Sequence, residues 1–296
     1  MSMDRGSLYA EVTERVIAQL EAGRLPWVQP WDSGKAATGL PRNAGTGRCY
    51  SGINVLILWA TLFEKGYGVQ RWLTYRQAQA LGGQVRRGEQ GTTICYADRF
   101  IPKDEQAKAH DEAREARQVA FLKRFTVFNV EQCEGLPADL TAPTAPAGIE
   151  DMIPRARHLI TATGARIVIG GELAFYAPGP DCIHVPPPSA YYERINWYRT
   201  AFHELGHWTG HKSRLDRFVE GHGTPSYARE ELCAEMASAF LCAELGIAPT
   251  VRHADYIGSW LAVLREDNRA IFRAASQASK AADHILSFER AGEAVS

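Results

Sequence analysis

Residues 198–211 read YRTAFHELGHWTGH, with His-Glu-x-x-His at 203–207. On a helix, positions four apart share one face about one turn apart, so the imidazoles of His203 and His207 can meet one cation. Glu204 points slightly aside and is placed to work on a water proton rather than to hold the ion. A zinc ion with an open position lowers the pKa of water to roughly 7 and polarises a carbonyl. A carboxylate that takes the proton and passes it to a leaving amine completes amide hydrolysis. The pattern predicts a metallopeptidase-type site on a helix. Zinc is the default metal, and the same nitrogen and oxygen donors admit manganese or cobalt.

Such a site needs a third protein ligand. A glutamate-rich helix, YAREELCAEMASAF (227–240), follows downstream and offers Glu230, Glu231 and Glu235. Its other side (Ala234, Ala237, Ala239, Phe240) is small and apolar, suited to close packing on the first helix. Three acids beside an apolar face call for a cation to satisfy them. A metzincin pattern would instead need histidine at 213, where the chain has Ser213, and His211 comes only one residue after Gly210. The third ligand is therefore expected to be a glutamate.

Working outward, the pattern is helical over 191–210, 227–245, 251–266 and 268–290. A short helix over 150–163 and the strand-like runs RIVIGG, ELAFYA and DCIHVP precede these stretches. Strands followed by helices predict an α+β domain over 151–296. Residues 136–150, rich in Pro, Ala and Thr, have linker composition and set the boundary with a first domain over 1–135. In that first domain, 8–22 carries an apolar helical stripe, VLILWATLF is an apolar helical run, and WLTYRQAQAL reads as a short helix with Thr74 as cap. TTICY and RFTVFNV read as strands. The charged run between them, 103–118, is a solvated helix or excursion with no function assigned.

The chain has 296 residues, 45% hydrophobic and 23% charged, which fits one large or two ordinary domains. Its net charge is −1, but 1–135 carries +3 and 136–296 carries −4, with +6 concentrated in 34–100. That asymmetry hints that the N-terminal half meets a polyanion. The six cysteines (49, 95, 133, 182, 233 and 242) form no CxxC pair. With no signal-like start and no run of ~18–20 apolar residues, a cytoplasmic, membrane-free setting is expected.

The span YYERINWYRTAFHELGHWTGHKSRLDR with YAREELCAEMASAFLCAELG resembles the zincin-like domain of the ArdC family of plasmid antirestriction proteins. VTERVIAQLEAGRLPWVQPW, LPRNAGTGRCYSGINVLIL, RWLTYRQAQALGGQVRRGEQGTTI and FTVFNVEQCEGLP resemble that family's N-terminal single-stranded-DNA-binding domain, also seen at the start of TraC-type primases. The resemblance implies binding of single-stranded DNA and protection of incoming plasmid DNA from restriction during conjugation. An unidentified protein substrate is a further expected partner, with a component of a restriction system as a candidate. Related zincins of the ImmA/IrrE type carry the third ligand as the first glutamate of an E-x-x-[AC]-[NA] helix, which falls on Glu230 here. Glu231 and Glu235 stay as alternates.

Single strands are held by a cationic groove and by aromatic faces on which bases stack. Arg42, Asn43, Arg71, Tyr75, Arg76 and Arg86 are the DNA-binding candidates; Trp27 and Trp31 read better as core plugs. Two rival readings accompany this one. In one, an intracellular peptidase uses its N-terminal half to select a substrate that pairs with an edge strand over 181–186. In the other, a DNA-coating protein holds a purely structural metal.

Overall fold

The computed structural model describes residues 5–28, 36, 38–100, 119–143, 148–217, 224–248 and 256–293. The run 103–118 and Trp31 lie outside these residues. In chain order the helices are α1 (Arg5–Glu21), α2 (Ile53–Lys65), α3 (Tyr75–Ala80), α4 (Ala138–Thr141), α5 (Ile149–Ala162), α6 (Arg194–Trp208), α7 (Pro225–Glu244), α8 (Ile257–Glu266) and α9 (Ala270–Glu293). The strands are β1 (Arg42–Asn43), β2 (Arg71–Leu73), β3 (Gln84–Val85), β4 (Thr92–Phe100), β5 (Val119–Asn129), β6 (Cys133–Glu134), β7 (Arg166–Ile169), β8 (Phe175–Ala177) and β9 (Cys182–Val185). The architecture is α+β in two domains.

In the N-terminal domain a four-stranded sheet runs β1-β2-β5-β4, beside a two-stranded β3-β6 ladder. The apolar run predicted as a helix is α2; it buries Ile53, Val55, Leu56, Leu58, Trp59 and Leu62, and Gly66 closes it at φ 68°. WLTYRQAQAL divides differently from its reading as one helix. Trp72 and Leu73 pair with Asn129 and Phe128 in β2, and the helix starts only after Thr74. Thr74 and Gln77 form a reciprocal capping box there, a local signal strong enough to break the chain out of the strand.

In the C-terminal domain the sheet order is β7-β9-β8, with β7 parallel and β8 antiparallel to β9. The 181–186 segment is thus the central strand, paired on both sides, and cannot accept a peptide as an edge. The outer strands are β7 and β8. Helix α7 is buried all round, which its alanines permit: Ala234, Ala237, Ala239 and Ala243 face neighbours at 0–3% exposure. Helix α9 answers with Ala274, Ala275, Ala278, Ala281 and Ala282, all buried.

The two domains share one continuous apolar core. Trp27 meets Trp260 edge-on at 5.3 Å, and Trp59 meets Phe240 at 5.9 Å. Ser279 Oγ on α9 accepts from the Gly52 amide at the start of α2, 2.8 Å. The Pro/Ala-rich segment is tied down as well, since Arg71 donates to the carbonyls of Leu140 (3.1 Å) and Ala142 (2.9 Å).

Candidate metal centre

Helix α6 presents His203 and His207 one turn apart, and their Nε2 atoms lie 3.2 Å from each other. Glu231 of α7 reaches between them: its Oε1 is 3.3 Å from His207 Nε2 and its Oε2 3.5 Å from His203 Nε2. Ligands at roughly 2.0–2.1 Å in tetrahedral directions stand about 3.3–3.4 Å apart, so the spacing and the donor set fit one zinc-sized ion. The donor atoms of these three buried residues all fall within 4.8 Å of one another.

Glu230, the ligand implied by resemblance, is turned elsewhere. Its Oε1 faces His207 Nδ1, the nitrogen on the far side of the ring, at 3.3 Å, and both its oxygens accept from Arg217. Glu235 faces Nδ1 of His203 at 3.7 Å. Adjacent residues on a helix point about 100° apart, so only one of the 230/231 pair can face the imidazole pair. The acids of α7 therefore divide into one between the Nε2 atoms and one behind each ring; the contact behind His207, at 3.3 Å, is of hydrogen-bond length, and the one behind His203, at 3.7 Å, is longer.

Burial alone would push His207 down, but hydrogen bonds to Glu230 and Glu231 outweigh it and raise its pKa to about 10. Burial would raise Glu231, yet the two imidazoles hold it far below the usual carboxylate range. Glu230 is likewise held low against its burial, by Arg217 and His207. Tyr227, pushed up by burial and by its hydrogen bond to Glu231, steadies that carboxylate from one turn earlier on α7. Packed this way, the carboxylates call for positive charge between the imidazoles.

Close approach of α6 and α7 depends on Gly206. A Cβ there would stand 3.1 Å from Ala234 Cα and 3.3 Å from its carbonyl oxygen. Glu204, 5% exposed, lines a cleft of about 660 Å³ together with His203, Arg199, Thr200 and Glu235. Leu173, Ala174, Pro186, Pro187 and Tyr191 form much of its apolar wall, and Trp27 and Val28 contribute from the N-terminal domain. His211 bonds Ser213 instead of joining the cluster.

The DNA-binding candidates scatter. Arg42 forms a two-pronged ion pair with Glu244 at the end of α7, at 2.9 and 3.0 Å. Asn43 organises its own loop: Oδ1 accepts from the amides of Gly45 and Thr46, and Nδ2 donates to Tyr50 Oη and Gln77 Oε1. Arg71 pins the 140–142 segment, as described above. Tyr75 is 50% exposed and lines a depression of about 470 Å³ with Arg86, Arg87 and Phe128. Arg76 is exposed on the same helix as Tyr75, and Arg86 pairs with Glu89 at 2.8 Å. Two exposed aromatics on the β4–β5 ribbon, Tyr96 and Phe125, were not singled out in the sequence. Strand alternation could have flagged them only with the sheet's buried face known.

Fold and helix pairing define a two-domain protein whose C-terminal half is a zincin-like metallopeptidase domain. A family model described as zincin-like metallopeptidase matches residues 154–277, and one described as the N-terminal domain of anti-restriction factor ArdC matches 6–128. The crystal structure of antirestriction protein ArdC from plasmid R388, metal-free, is 43% identical with a TM-score of 0.79, covering 95% of this chain and 97% of that one. Its Mn(II)-bound form is 41% identical, with a TM-score of 0.78 and the same coverage. The uncharacterized protein y4eC of Sinorhizobium fredii is 38% identical over 93% of this chain and 90% of its own length. DNA primase TraC of Escherichia coli is 43% identical over 95% of this chain, which spans about a quarter (27%) of the primase. The chain belongs to the ArdC family of antirestriction proteins.

Proposed function

We propose that the N-terminal domain binds single-stranded DNA, that the C-terminal domain is a metal-dependent peptidase, and that together they protect incoming plasmid DNA from restriction during conjugation. The observation that carries the peptidase reading is the meeting of His203 Nε2, His207 Nε2 and Glu231 within 3.5 Å, with Glu204 on the adjoining cleft wall. Zinc is the proposed ion, and the Mn(II)-bound relative supports a divalent metal more broadly.

His203, His207 and Glu231 would hold the ion, with Glu230 and Glu235 orienting the imidazoles from behind. When bound, the ion supplies Lewis acidity toward a peptide carbonyl and acidifies water. Glu204 accepts the proton of the attacking water and delivers it to the leaving amine nitrogen. The cleft wall at 171–174 leads into β8, whose outer edge is available for an extended peptide to pair in the manner of an added strand. The apolar wall keeps bulk water from the scissile bond, and in the lower dielectric that results electrostatic effects are stronger.

For DNA, support comes from the Tyr75, Arg76, Arg86 and Arg87 surface, which joins an exposed aromatic face to cations, the combination that single strands require. Arg42, Asn43 and Arg71 are proposed as internal struts instead. One observation favours substrate selection by the N-terminal domain as a second role: Trp27 and Val28 belong to the wall of the peptidase cleft.

Elemental analysis of purified protein tests the metal, with one ion per chain expected for the wild type and loss in His207→Ala. Fluorescence anisotropy with a labelled oligonucleotide tests the DNA, with salt-dependent binding expected to be tighter for single strands than for duplex. Glu204→Gln separates the activities: it should keep metal and DNA binding and stop proteolysis. If restriction protection survives that change, the peptidase chemistry is not what protects, and the metal is structural for that purpose.

A further inference from the structure

Arg217 lies outside both the His-Glu-x-x-His pattern and the acidic helix, yet it is built into the back of the metal centre. Its side chain is 8% exposed. It donates Nε to Glu230 Oε2 (2.9 Å) and Nη2 to Glu230 Oε1 (2.8 Å), a fork that matches a carboxylate. Nη1 donates to Thr209 Oγ1 at 2.9 Å and Nη2 to the Gly206 carbonyl at 2.6 Å. The Arg217 backbone amide donates to the Gly210 carbonyl at 2.8 Å, so the residue also closes the end of α6.

The seat for this guanidinium is made by the second glycine of HELGHWTG. A Cβ on Gly210 would stand 3.2 Å from Arg217 Nη2 and 3.0 Å from the His207 carbonyl oxygen. Gly206 admits α7; Gly210 admits Arg217. That gives Gly210 a physical role unrelated to the metzincin pattern it resembles.

The link continues inward. Glu230 Oε1, fixed by the fork, faces His207 Nδ1 at 3.3 Å, while His207 Nε2 faces His203 and Glu231. A neutral imidazole carries one N–H, and a carboxylate at Nδ1 selects the tautomer that leaves the Nε2 lone pair for an ion. Without its arginine, Glu230 would be a buried charge lacking compensation and free to turn away.

We propose that Arg217 is a positioning residue for the metal centre, acting through Glu230 to fix the tautomer and ring orientation of His207. This rests on the reading of His203, His207 and Glu231 as the metal ligands. It adds that metal affinity is set in part by a side chain that never touches the ion.

The test is zinc affinity of the full-length chain, measured by competition with a fluorescent chelator well below the unfolding temperature, with thermal midpoints recorded alongside. Arg217→Met and Glu230→Gln are each expected to weaken zinc binding roughly 10–100-fold. The double variant should be no weaker than the weaker single, because both break one link. Arg217→Lys keeps the cation but loses the fork, so it should fall between wild type and Arg217→Met, and it tests the link even where the Met variant does not fold. Lowered thermal midpoints with wild-type zinc affinity in the Arg217 variants would mean a helix-closing role alone and overturn the proposal, as would single losses that multiply in the double variant. A wild type that binds no zinc, or a His207→Ala variant that binds it equally well, would overturn the ligand assignment and this proposal with it.

Discussion

At the candidate metal centre, His203, His207, Glu230, Glu231 and Glu235 are buried and face one another, whereas Arg15, Arg42, Arg71 and Arg86 of the N-terminal domain lie nearer water and pair with acids or carbonyls. The difference follows from dielectric. Inside, an unanswered charge costs several kcal/mol, so the geometry of His203, His207, Glu230, Glu231, Glu235 and Arg217 is mutually determined. Outside, an ion pair such as Arg15–Glu64 contributes on the order of 0–1 kcal/mol, and an arginine can serve the fold or a ligand at little difference in free energy. A buried site can be read from residue types that need one another; a surface site cannot.

The sharpest break in that comparison lies between two adjacent residues. Glu231→Gln should weaken zinc binding by at least about a hundredfold, roughly 2.8 kcal/mol, because a direct ligand is weakened. Glu230→Gln should cost less, within the 10–100-fold range already given. Chelator competition on the two variants ranks them, and the reverse order would return the ligand role to Glu230. Gly206→Ala pushes a methyl onto the backbone of α7, which cannot yield as a side chain would. A loss of about 1–3 kcal/mol in denaturant unfolding is expected, with weaker metal binding because α7 carries Glu231.

On the surface side, effects are smaller and differ in kind. Tyr75→Ala should cost about 1–3 kcal/mol of single-strand affinity through lost stacking, and Arg86→Ala should lower the salt slope by about 1. Arg71→Ala should leave DNA affinity nearly unchanged and instead loosen the 140–142 segment, a change visible as faster proteolysis there. Equal losses of DNA affinity across Arg71, Tyr75 and Arg86 would erase the distinction between struts and binding residues.

The smallest expected effect concerns pH. Arg214 hydrogen bonds, helped by Tyr176 and opposed by burial, hold Asp181 at about 2 instead of 3.8. A depressed carboxylate contributes stability that is present above its unfolded pKa and lost as pH falls through the folded one, here between about pH 4 and 2. Asp181→Asn should flatten the acid limb of the stability curve in that window. Asparagine tolerates the φ of 48° found at 181, so the backbone is left undisturbed.

Much of the C-terminal domain was legible. Helical periodicity placed α6, α7 and α9 within a few residues, and four-residue spacing put both imidazoles on one face. What could not be read was which of Glu230 and Glu231 faces them, since that depends on how α7 crosses α6, and the crossing is fixed by contact between Gly206 and Ala234. Arg217 was invisible for a similar reason: nothing local in KSRLDR announces a partner thirteen residues away on another helix. In the N-terminal domain, Arg42 and Arg71 were indistinguishable by type from Arg76 and Arg86. Their partners, Glu244 and the carbonyls of 140 and 142, are contacts made 202 and about 70 residues along the chain. Thr74 as the cap is where the helix does begin, but the strand just before it, Arg71–Leu73, is three residues long and too short for a two-residue alternation to show in the sequence.

An anomalous-difference map from crystals grown with zinc tests the central assignment most directly. The expected result is one peak about 2.0–2.2 Å from Nε2 of His203, Nε2 of His207 and a carboxylate oxygen of Glu231, with Glu230 still on Arg217. A peak ligated by Glu230, or no peak between the two imidazoles, would contradict it.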